Sequence, residues 1–220
     1  EDQRRIVLEE IRAEYYTQVY ARKETEILER YDERPLGPGL LARGRVRVTT
    51  HIEGFGRRRL RSQEEISRHP LEAPPLVMET SGFWFEAPQG LLGELVAQEF
   101  HPVGGLHATE HALIGLFPTL AICDRWDLGG ISYAHHPQID GPAVFVHDSV
   151  AEGVGLAATG YQRAEELLER TMKLLQDCPC EDGCPECVHS PKCGSGNHPL
   201  DKHGAILVCE LMLSRREIKA

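Results

Sequence analysis

No stretch of about 18 consecutive apolar residues occurs in this sequence, so nothing in it reads as a membrane-spanning helix. No segment has the make-up of a secretory signal. A G-x-x-x-x-G-K-[ST] loop, an acidic D-E-x-H box and a G-x-S-x-G elbow are all missing, which removes a P-loop ATPase and an elbow-type hydrolase from the functions this chain could perform alone. Excess positive charge is missing too. The formal net charge is −10, which argues against a basic coat for nucleic acid. The hydrophobic fraction of 41% and charged fraction of 26% over 220 residues are those of a globular protein, long enough for one large or two small domains.

What is there concentrates between Cys178 and Cys193, where five of the seven cysteines lie. The first four follow the spacing C-x-C-x3-C-x2-C, which lets two short loops each offer a pair of thiolates to a tetrahedral cation. Gly183 permits a sharp turn between the pairs, and Pro179 and Pro185 stiffen the loops. A disulfide framework fits poorly, because the cysteine count is odd and a chain of this size needs no staple; burial of the cysteines as apolar side chains is the other alternative. Iron–sulfur spacings such as C-x2-C-x2-C-x3-C-P do not match. The spacing therefore favours structural zinc on Cys178, Cys180, Cys184 and Cys187, with Cys193 a fifth thiol and His189, His198 and His203 near enough in sequence to substitute.

In chain order, Glu1–Glu14 reads as a helical lead-in whose abrupt start suggests a fragment of a longer protein. Tyr15–Tyr31 alternates as a strand, Leu36-Gly37-Pro38-Gly39 is a turn, and Arg43–His51 alternates again. Glu53-Gly54 is expected to turn the chain so that Phe55–Leu60 returns as a second strand, giving an arginine-rich hairpin from Arg43 to Arg61. Between Arg43 and Arg68 eight arginines face three glutamates, an excess of +5 that leaves −15 for the rest of the chain. Arg57, Arg58, Arg59 and Phe55 are the candidate nucleic-acid contacts, since arginine and aromatic side chains suit phosphates and stacked bases; a solvated strand face is the plain alternative. Val77–Phe85 is another strand after the Pro70–Pro75 loop. Helical sequence starts at Gly90, Leu106–Ile114 is a strongly apolar helix, and Pro142–His147 is a buried strand. Tyr161, Ala164, Leu168, Met172 and Leu175 mark one face of an amphipathic helix. Leu200–Leu213 is a last helix, and Ser214–Ala220 looks like a natural end.

Two further motifs carry chemistry. His107-Ala108-Thr109-Glu110-His111 matches H-x-x-E-H, in which two histidines one helical turn apart can share a zinc, with Asp124 or Asp127 to complete it. The alternative is a buried polar network holding this helix against the 124–130 loop. Gly153-Val154-Gly155, between a strand and a helix, has the form of a phosphate-binding turn. It lacks a third glycine at Rossmann spacing and any Lys-Ser/Thr, and close packing accounts for both glycines.

Leu106–Leu113, Cys123-Asp124-Arg125-Trp126-Asp127-Leu128-Gly129-Gly130, Val144–Asp148 with Gly153–Leu156, and the cysteine block with Ser190-Pro191-Lys192-Cys193-Gly194 occur in one order that is familiar. Over residues 15 to 215 the chain resembles the C-terminal MrfA zinc-binding domain of superfamily 2 DNA helicases, a family with MrfA, SftH-like and RecQ-related members. The resemblance implies that Cys178, Cys180, Cys184 and Cys187 bind a structural Zn2+. It also implies parents that are ATP-dependent 3′-to-5′ translocases on single-stranded DNA, linked to DNA repair in the cytoplasm beside the nucleoid. ATP and Mg2+ then belong to motor domains absent from this chain. Single-stranded DNA, those motor domains and a repair nuclease or other repair factor are the implied partners, with no membrane. His147, where the family commonly has an aromatic, and Glu152, in place of one of two adjacent glycines, depart from the pattern. The expected fold is α+β: a mostly β part over 1–89 and a mostly helical part over 90–220 with the four-cysteine knuckle, together one composite domain. Its expected role is to support the motor and guide DNA. Rival readings are a zinc-dependent hydrolase using His107, Glu110 and His111, and a protein-interaction module.

Overall fold

A computed structural model gives the fold of residues 9–214. Two long strands, β1 (Tyr15–Leu36) and β2 (Gly39–Arg59), form an antiparallel hairpin closed by Gly37 and Pro38. Along its other edge β2 pairs first with β4 (Leu76–Glu86) and then, farther along, with β3 (Glu65–Pro70). Two strands from the second half of the chain, β5 (Leu128–Tyr133) and β6 (Ala143–Asp148), complete the sheet in the order β1-β2-β4-β6-β5, every neighbour antiparallel. The sheet is therefore shared by residues on both sides of position 90.

Strand alternation sorts the aromatics to opposite faces. Phe83, Phe85, Val144 and Val146 point into the main core beneath the helices, while Trp84 and Phe145 stack on the other face at 5.3 Å between ring centroids. The main core is closed by α1 (Leu91–Ala97), α2 (Pro102–Leu116), α3 (Leu156–Gln162), α4 (Ala164–Asp177) and α5 (Lys202–Leu213). Helix α2 is buried continuously from Gly104 to Ile114 apart from one partly exposed residue, His107. It is central because it packs on α5, α4 and the β5–β6 edge, so its sequence is apolar nearly all round rather than amphipathic. Pro102 suits its first turn, where the missing N–H costs nothing. The Asp201 carboxylate caps α5 by accepting from the Gly204 amide at 2.7 Å, and its other oxygen accepts from the His101 amide at the start of α2, also at 2.7 Å.

Several sequence expectations are corrected. Residues 9–14 carry no helix, and residues 1–8 of the expected lead-in lie outside the described residues, as do 215–220 of the polar tail. Glu53-Gly54 is not a turn: β2 runs through it, so Arg43 to Arg59 lies in one strand rather than in a hairpin. Glycine is there because a Cβ at position 54 would lie 2.3 Å from the His69 carbonyl of β3, so the residue marks close backbone approach inside a sheet. The amphipathic face expected from Tyr161 to Leu175 belongs to two helices, broken at Arg163. Among the described residues, no helix is long and apolar enough to cross a membrane.

Candidate metal centre

Helix α4 ends at Asp177, and the Cys178 amide still donates to the Leu174 carbonyl at 3.0 Å, so the first cysteine leaves the helix in a fixed direction. The chain then reverses at Gly183, whose φ of +114° is open to glycine and strained for other residues. A Cβ there would also lie 2.4 Å from the Val188 side chain. In the second loop the amides of Cys187, Val188 and His189 all donate to the Cys184 carbonyl at 3.0–3.1 Å, and the Cys184 amide donates to the Cys187 sulfur at 3.2 Å.

This folding brings four sulfurs together. Sγ–Sγ separations are 3.5 Å for 178–180, 178–184 and 180–187, and 3.6 Å for 184–187. These are far beyond a disulfide bond of about 2.05 Å. A tetrahedron with zinc–sulfur distances of about 2.3 Å has edges near 3.8 Å, so the donor set fits zinc with small adjustments. Cys178, Cys180, Cys184 and Cys187 are thus one candidate ligand group. Burial pushes the Cys187 thiol up to about 12; a bound cation would reverse that preference by taking the thiolate.

The knuckle is anchored from outside as well. Ala108 and Ala112 of α2, Leu175 of α4, Ala205 of α5 and Val188 pack against it. The Lys202 ammonium, almost wholly buried, donates to the carbonyls of Cys178 at 2.7 Å and Cys180 at 2.6 Å. Four thiolates on a divalent cation leave net negative charge, and a buried ammonium on the ligand backbone offsets part of it. Cysteine spacing alone gave no sign of Lys202, which reaches the site from α5.

Cys193, expected as a substitute ligand, lies elsewhere. It groups with His107 and His111, the ligand atoms of the three lying within 4.8 Å of one another. Asp124 and Asp127 do not join them; each caps the Arg125–Asp127 turn, Asp124 accepting from the Trp126 amide at 3.0 Å and Asp127 from the Asp124 amide at 2.7 Å. The two α2 histidines reach the 188–199 loops, His111 Nδ1 pairing with the Val188 carbonyl and His107 Nδ1 with the Pro199 carbonyl, while Glu110 packs against Gly130 of the 124–130 loop. Burial alone would raise the Cys193 thiol, but hydrogen bonds with His107 and His111 bring it down to about 4. Burial raises Glu110, which is hydrogen-bonded to Ser132. His203 stacks on Phe100, and His198 lines the cleft beside His107.

The Gly153–Gly155 loop already holds an anion of its own. The Asp148 carboxylate accepts from the amides of Val154 at 2.6 Å, Gly155 at 3.0 Å and Ala157 at 2.8 Å. Those donors would otherwise face a phosphate, so the phosphate-turn reading gives way to an internal cap.

The arginine excess is also smaller in space than in sequence. Among the described residues, six of the eight arginines have a carboxylate within 4.0 Å: Arg43 with Asp32, Arg45 with Glu79, Arg47 with Glu26 and Glu79, Arg58 and Arg68 with Glu65, and Arg59 with Glu64. Much of the compensating charge sits on β1 and β4, outside the counted window. Arg57 lies over the Tyr15 ring at 5.1 Å, and Phe55 stacks on His69 at 5.0 Å.

Comparison with known proteins places this geometry. A family model described as the MrfA Zn-binding domain matches residues 109–188. An uncharacterized protein of Methanocaldococcus jannaschii is 39% identical over 112 residues, half of this chain and 100% of that protein. The ATP-dependent helicase HRQ1 of Saccharomyces cerevisiae is 24% identical over 79% of this chain, and the uncharacterized ATP-dependent helicase YprA of Bacillus subtilis is 25% identical over 85% of it. The crystal structure of the DUF1998 helicase MrfA bound to DNA shares the fold, with a TM-score of 0.61 at 24% identity over 92% of this chain. The chain spans only 17% and 25% of the two curated helicases and 26% of the MrfA chain. Fold, knuckle and likeness together define a zinc-binding domain of helicase-like proteins. The chain belongs to the MrfA Zn-binding domain family.

Proposed function

We propose that this chain is the accessory zinc-binding part of an ATP-dependent DNA helicase. Cys178, Cys180, Cys184 and Cys187 hold one structural Zn2+, and residues 1–89 and 90–220 act as two parts of one composite domain. The observation that carries this reading is the four-sulfur group with tetrahedral spacing, set in a chain whose relatives are named as ATP-dependent helicases. ATP, Mg2+ and 3′-to-5′ translocation belong to motor domains elsewhere in such a protein, in a DNA-repair role within the bacterial cytoplasm and on the nucleoid. A repair nuclease or other repair factor is the expected further partner.

Single-stranded DNA is the proposed ligand of the strand arm bearing Phe55, Arg57, Arg58 and Arg59. Exposed ion pairs such as Arg59–Glu64 are worth little, so these guanidiniums can exchange a carboxylate for a phosphate. Binding by the isolated domain should be weak and insensitive to sequence, because phosphate contacts and stacking carry little base information. Each phosphate contact adds a slope of about −0.7 in log affinity against log salt for single strands. Replacing Arg57, Arg58 and Arg59 together with alanine should flatten that slope by up to roughly two units. Fluorescence anisotropy over a salt series tests this: equal affinity and equal slope for variant and parent would reduce the arm to a solvated face.

A further inference from the structure

We propose that His107, His111 and Cys193 form a second zinc site, separate from the knuckle, with its fourth coordination position open to a cleft. Two imidazoles supply its first donors. They stand one turn apart on α2 with ring centroids 4.3 Å apart. The His107 Nδ1 lies 2.8 Å from the Pro199 carbonyl and the His111 Nδ1 lies 2.7 Å from the Val188 carbonyl. A carbonyl can only accept, so each Nδ1 carries a proton, and in the neutral imidazole each Nε2 presents a lone pair to a cation. This is the arrangement in which a backbone carbonyl fixes the tautomer of a metal-binding histidine.

Cys193 supplies the third donor. Its sulfur lies 3.5 Å from the His107 Nε2 and accepts from the Asn197 backbone amide at 3.3 Å. A backbone amide can only donate, so this contact favours a sulfur bearing negative charge. One thiol has at most one proton to share between two imidazole lone pairs in a mostly buried place, whereas one cation satisfies all three donors. The size is right as well: zinc–nitrogen and zinc–sulfur distances of about 2.0 and 2.3 Å put N and S about 3.5 Å apart in a tetrahedron. Two imidazoles and a thiolate suit zinc over magnesium or calcium, which prefer oxygen.

Three protein ligands leave one position free. All three side chains line a cleft of about 440 Å3 whose other walls include Glu110, Ser132, Lys192 and Ser195. A zinc with three protein ligands and a water in the fourth place is the arrangement of exchangeable, reactive zinc, whereas four cysteines close a structural one. Glu110, buried and facing the same cleft, is the group placed to accept a proton from such a water. The site stands independently of the knuckle assignment, since no ligand is shared.

Elemental analysis of the purified 220-residue chain after dialysis against metal-free buffer should give two zinc per chain. Cys193→Ser and His107→Gln should each lose one equivalent and keep the other, and the retained knuckle zinc reports that the variant is folded. Cobalt loading offers a second readout: Cys193→Ser should lose one thiolate-to-metal charge-transfer contribution and leave the four-thiolate spectrum. One equivalent in both parent and Cys193→Ser would overturn the proposal. So would alkylation of Cys193 by iodoacetamide at the same rate before and after chelator treatment, which would make the cluster a metal-free thiolate–imidazole pair. Failure of the knuckle reading would show differently, as a full complement of metal in Cys184→Ser.

Discussion

The two ligand groups of this domain lie on either side of one segment, yet they are assembled in opposite ways. In the knuckle, four donors fall within ten residues, and the turn at Gly183 with the amides around Cys184 is enough to face them together. In the second group, His107 and Cys193 are separated by 86 positions and meet only because α2 packs against the loops that follow the knuckle. Val188 is the physical link. It follows the last knuckle cysteine, packs beneath Gly183, and gives its carbonyl to His111. A local site that closes a short loop can form early and at small entropic cost, whereas a site closing a long loop waits for the core. The comparison therefore predicts an asymmetric dependence: the assembled group needs the knuckle, and the knuckle does not need the assembled group.

Breaking the knuckle should have the largest effect. Cys184→Ser removes a ligand from a type of site whose metal contributes on the order of 10–16 kcal/mol of apparent free energy in zinc-finger peptides. We expect loss of the knuckle zinc, weakened metal retention at His107, His111 and Cys193, and loss of a cooperative melting transition by calorimetry. An unchanged melting curve with full metal content would end the assignment.

A pH series probes the wall of the assembled group alone. His147 on β6 lies under Gly129, where a Cβ would come within 2.3 Å of the imidazole, and Gly129 lines the cleft. Burial lowers His147 from 6.5 to about 4, and its Nε2 has no hydrogen-bond partner. The folded state binds the proton less readily than the unfolded state, so its stability contribution is complete above about 6.5 and is lost as pH falls toward 4. Two and a half pH units correspond to about 3 kcal/mol. His147→Phe should therefore lose less stability than the parent between pH 6.5 and 4 in urea titrations; parallel acid limbs would show that His147 is not neutral in the fold.

Lys202→Met sharpens the comparison from the other side. It removes the donor to the Cys178 and Cys180 carbonyls and touches none of the His107, His111 and Cys193 contacts. Loss of a partner beside the ligands of a metal commonly costs 10–100-fold in affinity. Chelator competition should show a drop of that order for the knuckle and no change for the second group, with Cys123→Ala and Cys209→Ala as controls that retain all metal. Equal affinity in Lys202→Met and parent would show that the buried ammonium has no part in holding the metal loops.

Local signals were legible in the chain wherever the physics is local. The cysteine spacing, the Gly37-Pro38 turn, the alternation of β4 and the apolar continuity of β6 and α2 each depend on neighbours a few residues away. Composition is incomplete where a distant partner decides. Gly54 has turn-like composition, but the His69 carbonyl of β3 is what requires a glycine there. The Gly153–Gly155 loop has the form of an anion site, but Asp148 from the preceding strand fills it. The arginine excess counted along β2 is answered across the sheet by Glu26, Asp32 and Glu79.

The sequence by itself determined the α+β class, the knuckle and the helix that delivers the chain to it, because hydrophobic period, turn chemistry and short ligand spacing are written in adjacent residues. Only the tertiary structure decided that Cys193 leaves the other cysteines for His107 and His111, that Lys202 braces the metal loops, and that most arginines are paired. Those choices are made between residues tens of positions apart, where burial, charge compensation and hydrogen-bond satisfaction act across the packed core and leave no periodic trace along the chain.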